Sequence, residues 1–218
     1  SGDPPRRSAG GAARAAAEVR DGGGAALAIT CDVTDRESLA ALADAAVERF
    51  GEVDALVNSP GAIARAAVPD VTDDEWDRVL DVQLTGVHRT VQTFVTRTGV
   101  ESVVNVASLS SLLGIEDLAA YSAAKGGIDG YTHAAAKDLG PAVRVDAVRP
   151  GFVARPQTAD AYAEGSHRYE RIVERSSIGR ISRPGDIAGA VVCLASPAAS
   201  YVTGETITVD GGFTPSAF

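Results

Sequence analysis

Short apolar runs alternate with longer helical patterns along this chain. That alternation restricts it to an α/β fold built of βαβ units on a parallel sheet. The run "ALAIT" (26–30) reads as a strand, and "TDRESLAALADAAVERFG" after it reads as a helix. Thr34 and Glu37 are spaced as a capping box, apolar residues from Leu39 to Phe50 recur at helical spacing, and Gly51 stops the helix. "VDALVN" (53–58) is a second strand, and Thr72 with Glu75 caps a long helix running to about Thr96. "SVVNVAS" (102–108) is a third strand. A helix from about Leu118 stops at Gly140-Pro141. "VRVDAVRPG" (143–151) is a fourth strand, Pro184 opens the helix of "DIAGAVVCLAS", and "ETITVDGG" (205–212) supplies a last strand. Residues 156–183 are polar and irregular, with some helix expected. No internal repeat or linker is visible, so 1–218 reads as a single domain, long enough for a sizeable core.

Composition excludes several functions. The net charge is −9 with no run of basic residues, which argues against binding nucleic acid or an anionic membrane. Cys31 and Cys193 lie in apolar runs and read as buried free thiols, which fits a reducing, cytoplasmic setting. No apolar run is long enough to span a bilayer, and the polar start "SGDPPRRSAGG" does not resemble a signal peptide. The chain contains no methionine, so either the initiator was removed or the true start lies upstream.

The chemistry is concentrated in "AAYSAAKGG" (119–127). The chain has only two lysines, and one of them, Lys125, stands four residues after Tyr121. On a helix these two share a face, with Cβ atoms roughly 6 Å apart. At an effective dielectric near 20, an ammonium at that distance favours the phenolate by about 3 kcal/mol. That is roughly two pKa units, taking a phenol from about 10 to about 8. Ser108 ends the preceding strand, and ligands of parallel α/β sheets bind at the carboxyl ends of strands. A serine hydroxyl there can hold a carbonyl oxygen while the tyrosine protonates it. Small or polar residues also end the other strands, in "TCDV", "VNSPG" and "VRPGF".

Seven stretches stand in order: "CDVTDRES", "VDALVNSPGA", "VVNVASLSS", "YSAAKGG", "VRVDAVRPGFV", "RPGDIAGAVVCLAS" and "YVTGETITVDGGF". In these the chain resembles the short-chain dehydrogenase/reductase family, and most of all bacterial 3-oxoacyl-carrier-protein reductases and their secondary-metabolism relatives. The resemblance implies a Rossmann-like doubly wound parallel sheet. It also implies hydride transfer between NADP or NAD and a carbonyl or secondary alcohol. Tyr121 would be the proton donor or acceptor, Lys125 would lower its pKa and bind the nicotinamide ribose, and Ser108 would position the substrate carbonyl. The positive charge of an oxidised nicotinamide would complete the shift of the tyrosine. Asp32 and Val33 would flank the adenine. Asn58 and Gly61 would line the adenosine side, and Pro150, Gly151 and Val153 would pass the nicotinamide. Gln83 stands at a fourth catalytic position. The family also implies a homodimer or homotetramer.

The chain departs from the family pattern in several places. The family begins with a strand, a Gly-rich turn, a helix and a second strand, and no such unit precedes "ALAIT" here. The sheet is therefore expected to lack its first two strands. "ALAIT" would then have no neighbour unless the chain continues upstream, the run moves against "VDALVN", or another chain fills the gap. Ser59-Pro60 replaces the usual Asn-Ala, Gln83 replaces Asn, Arg155 replaces a common Thr, and Asp146 replaces Asn. Without the pyrophosphate turn, a non-redox dehydratase, isomerase or cyclase and a non-catalytic partner subunit are alternative readings. Arg6 and Arg7 could reach a 2′-phosphate, which favours NADP, and His167, Arg168 and Arg171 could meet an anionic substrate or form a solvated helix face.

Overall fold

A computed structural model describes residues 8–155, 158 and 162–215. Four parallel strands lie side by side in the order β1 (Ala55–Asn58), β2 (Ser102–Val106), β3 (Arg144–Pro150) and β4 (Thr206–Val209). The helices are α1 (Ser8–Asp21), α2 (Arg36–Phe50), α3 (Asp73–Leu80), α4 (Gly86–Arg97), α5 (Ala119–Leu139), α6 (His167–Arg175) and α7 (Pro184–Ala195).

The strands alternate their side chains between two cores, as the period of two requires. Leu56, Val103 and Val145 stand in register and face α2, α4 and α5, packing with Ala43, Val91 and Ile128. Val104 and Val148 face the other way, against Ile187 and Leu194 of α7. Helices thus cover both faces, as a sheet of near-continuous Val/Ile/Leu strands demands. The capping box of Thr72 and Glu75 opens α3, and Pro184 is the first residue of α7, as the sequence predicts.

Four expectations are corrected. "ALAIT" makes no ladder: among the described residues β1 pairs only with β2, and Leu27 is exposed. A strand is defined by its partners, and apolar composition does not replace them. The cap of α2 is Asp35, whose carboxylate accepts from the Glu37 amide, because Thr34 instead donates to Asp32. The long helix after Thr72 is interrupted by a π turn at Asp81–Thr85, which divides it into α3 and α4. Neither cysteine is fully buried: Cys31 is half-buried and Cys193 is exposed. α7 buries only the stripe holding Ile187 and Leu194, so the apolar run around Cys193 turns Val192 and Cys193 outward.

Candidate active site

The carboxyl ends of β2 and β3 open into a cavity of about 470 Å³. Ser108 reaches it because the chain stays extended beyond β2, where the Ala107 amide bonds to the Val148 carbonyl at 2.8 Å. The backbone then turns into a short 3-10 helix, Leu109–Ser111, capped by Ser108 itself, whose Oγ accepts from the Ser110 amide at 3.2 Å. Ser111 Oγ donates to the Ser108 carbonyl at 2.8 Å and fixes that turn.

The helix α5 brings Tyr121 to the same cavity. Its alanines make this possible: Ala120 and Ala124 are small enough to pack directly on Val79 and Ala64, with Trp76 and Leu80 alongside. Lys125, one turn on, is buried, and its Nζ donates to the Val106 carbonyl at 2.6 Å. The ammonium sits 5.7 Å from the centroid of the Tyr121 ring. Gly127 lets the π turn approach α5, since a Cβ there would lie 2.7 Å from Leu84 Cδ2. That turn buries Gln83, whose Nε2 donates to the Ala62 carbonyl at 2.7 Å. Gln83 Oε1 is buried without a partner among the described residues.

The electrostatics differ from the simple two-charge expectation. Burial pushes the Tyr121 phenol above its ordinary value, while the Ser108 hydroxyl and the Arg155 charge pull it back in part. Lys125 is itself lowered to about 8, first by burial and then by Arg155, with Asp129 acting in the opposite sense. An estimate from distance alone omits the desolvation that comes with bringing both groups inside. Tyr121 is therefore a neutral acid in the free protein, and the proximity of Lys125 alone does not make it a phenolate.

Pro150, Gly151 and Val153 line the same cavity as Tyr121 and Ser108. Gly151 is required where the chain leaves β3, because a Cβ would stand 2.8 Å from the Asp210 Cα. Four residues expected to lie along the adenosine end of a cofactor are not part of this cavity's wall. Asn58 is buried within the sheet, donating to Asn105 Oδ1 at 3.0 Å, and Asn105 in turn donates to Thr132 of α5 at 3.1 Å. Asp32 closes a turn through the Thr34 amide and hydroxyl at 2.9 and 2.7 Å, which lower its pKa. Val33 packs on Gly86, and Gly61 is exposed outside the cavity wall. Of the "NSPG" stretch, it is Ser59 that lines the cavity. Arg6 and Arg7 lie outside the described residues.

Sequence reasoning missed a buried network below the site. Arg149 Nε donates to Ser111 Oγ at 2.9 Å, Nη1 to Thr208 Oγ1 at 2.9 Å and Nη2 to Asp129 Oδ2 at 2.7 Å. Two signals were available: a charged residue inside the apolar run of β3, and Asp129 four positions after Lys125 on one helix face.

The family model described as enoyl-(acyl carrier protein) reductase matches residues 7–214. The short-chain reductase protein NovJ of Streptomyces niveus is 40% identical over 205 residues, covering 90% of this chain and 78% of that protein. The trans-4-hydroxycyclohexanecarboxylate dehydrogenase of Sinomonas cyclohexanicum is 38% identical over 192 residues, covering 87% and 71%. The structure of a gluconate 5-dehydrogenase from Burkholderia cenocepacia J2315, in complex with NADP and tartrate, superposes with a TM-score of 0.85 at 29% identity, covering 93% of this chain and 81% of that one. With motifs, fold and relatives in agreement, the chain belongs to the short-chain dehydrogenase/reductase family.

Proposed function

We propose that the protein is an NAD(P)-dependent oxidoreductase that interconverts a carbonyl compound and a secondary alcohol. One observation carries the reading: Ser108 and Tyr121 line one cavity at the carboxyl end of the sheet, with the Lys125 ammonium buried behind the phenol ring. One feature supports the fit of a nicotinamide group: the wall formed by Pro150, Gly151 and Val153 carries no charge and leads directly from β3. Tyr121 and Lys125 would hold the ribose, and Pro150, Gly151 and Val153 the ring. The NADP held by the Burkholderia cenocepacia relative favours NADP over NAD.

A nicotinamide cofactor, when bound, supplies or accepts the hydride. The chain's own residues do the rest. Ser108 Oγ donates to the carbonyl oxygen and polarises it. Tyr121, kept neutral by burial, gives its proton to that oxygen as charge develops there. Lys125, held by the Val106 carbonyl, places a positive charge beside the phenolate that results. In the oxidative direction the proton returns along the same path.

The test is consumption of NADPH with a panel of ketones and 3-oxoacyl thioesters. Turnover that depends on nicotinamide, and that Tyr121→Phe abolishes, supports the reading. Turnover without nicotinamide that still needs Tyr121 would replace it with acid/base chemistry on the same residues.

We also propose a homo-oligomer formed through α4 and α5, whose outer faces present Val95, Tyr131, Ala134 and Leu139 around a groove of about 400 Å³. Light scattering coupled to size exclusion tests it, a monomer being the contrary result. Among the described residues no helix is long and apolar enough to cross a membrane. A cytoplasmic setting rests on the two unpaired cysteines.

A further inference from the structure

Three arginines line the cavity that holds Ser108 and Tyr121: Arg65, Arg155 and Arg168. Among the described residues no aspartate or glutamate joins them. This runs against the charge of the whole chain, in which 29 acidic residues outnumber 20 basic ones. It also differs from five other arginines of the fold. Arg89, Arg97, Arg144, Arg149 and Arg180 each lie against an aspartate, whereas none of the three has a carboxylate partner among the described residues.

The three converge from separate elements: Arg65 from the loop after β1, Arg155 from the loop after β3 and Arg168 from the first turn of α6. Two of them are arranged locally. The Arg168 guanidinium lies 5.7 Å over the ring of Tyr162, itself a wall residue. The Arg155 amide donates to Thr158 Oγ1 at 2.9 Å, and Thr158 also lines the cavity. The charge of Arg155 reaches the reacting groups, offsetting part of the burial-driven rise at Tyr121 and adding to the fall at Lys125. Guanidinium groups do not deprotonate, so the cavity keeps this positive lining at any ordinary pH and favours an anion. Much of the remaining wall is apolar, including Ile63, Ile115 and Val191. The nicotinamide ring brings no negative charge to that wall.

We propose that the substrate is a carbonyl compound or secondary alcohol carrying an anionic oxygen group, a carboxylate or a phosphate, which Arg65, Arg155 and Arg168 hold while Ser108 and Tyr121 hold the reacting oxygen. This rests on the redox reading above and names the substrate class of the same site. In the reductive direction hydride adds to the carbonyl carbon and the Tyr121 proton to its oxygen. The anionic group is unchanged and serves only to orient the molecule. Arginine suits that role because its planar fork matches either oxyanion.

Two matched pairs test it in the NADPH assay: 4-oxocyclohexanecarboxylate against its methyl ester, and acetoacetyl-4′-phosphopantetheine against acetoacetyl-pantetheine. The anionic member of at least one pair is expected to have a kcat/KM about tenfold higher, and the pair that responds identifies carboxylate or phosphate. Arg65→Gln and Arg168→Gln are expected to shrink that preference towards one, mainly through KM. Arg171→Gln, on α6 but outside the cavity wall, leaves both pairs unchanged. Equal turnover of charged and neutral members in both pairs overturns the proposal. So does loss of NADPH affinity in the two variants with the preference intact, because the arginines would then serve the cofactor. If nothing is turned over, calorimetric titration of the same four compounds separates the two readings. Selective binding of an anionic member upholds the anion site while the redox reading fails, and equal binding overturns the anion site.

Discussion

Arg149 Nη2 donates to Asp129 Oδ2 at 2.7 Å, and this buried pair ties the helix carrying Tyr121 to the strand that leads into Gly151. The same guanidinium holds Ser111, which in turn holds the Ser108 carbonyl, so one side chain spans both halves of the reacting pair. The first prediction concerns this residue. Asp129→Asn leaves a buried cation poorly paired and is expected to destabilise the fold by about 3 kcal/mol. Because Ser108 and Tyr121 shift relative to each other, kcat should fall more than KM rises. Denaturant melts and steady-state kinetics of Asp129→Asn, Arg149→Met and the double variant check this. A coupling energy near zero would mean the pair holds nothing in place.

Tyr121→Phe and Ser108→Ala separate proton transfer from carbonyl positioning. Tyr121→Phe removes the hydroxyl assigned to proton transfer and should lower kcat by about 10²-fold or more, with NADPH affinity nearly unchanged. Ser108→Ala removes one hydrogen bond to the developing oxyanion and should cost on the order of 10²-fold in kcat. Calorimetry with NADPH run beside the kinetics distinguishes a chemical defect from lost cofactor binding.

Lys125 predicts an unusual dependence of stability on pH. Its folded pKa of about 8 lies below its ordinary value of 10.5. Below pH 8 both the folded and unfolded chains keep this proton, and the folded state bears the cost of a buried charge. Between 8 and 10.5 the folded chain releases the proton while the unfolded chain retains it. The unfolded state then binds more protons, so this group's contribution to stability rises with pH across that window. The full rise is about 3 kcal/mol. Lys125→Met lacks it, so the variant's stability relative to the parent should decline from pH 7.5 to pH 10 in urea titrations. Parallel pH profiles would show that Lys125 titrates as an exposed lysine does.

Much of the fold was legible because period and punctuation carry it. The four strands of the sheet were read with boundary errors of a few residues at most, since valine-rich runs between helical patterns leave little choice. The site was legible where its residues are neighbours along a helix, as Tyr121 and Lys125 are. What failed depended on long-range partners. "ALAIT" has strand composition but no ladder, because no neighbouring strand pairs with it among the described residues. The raised Tyr121 pKa follows from burial, which no spacing rule contains.

The last prediction concerns the contact that seats the π turn. A Cβ at Gly127 would lie 2.7 Å from Leu84 Cδ2 and 3.2 Å from Leu84 Cδ1. Leu84 belongs to the turn Asp81–Thr85, which also buries Gln83 and its bond to Ala62. Gly127→Ala therefore pushes that turn away from α5. The gain in helix propensity, up to about 1 kcal/mol, is smaller than the strain of overpacking, typically 1–3 kcal/mol. The variant is expected to be less stable by about 1 kcal/mol and slower in turnover. Leu84→Ala made on top of it removes the clash at the cost of a cavity, so the double variant should lose less than the sum of the two single losses. Denaturant melts of the four proteins measure that coupling. Additive losses would mean that the Leu84 side chain simply swings aside and that Gly127 is not needed to seat the turn.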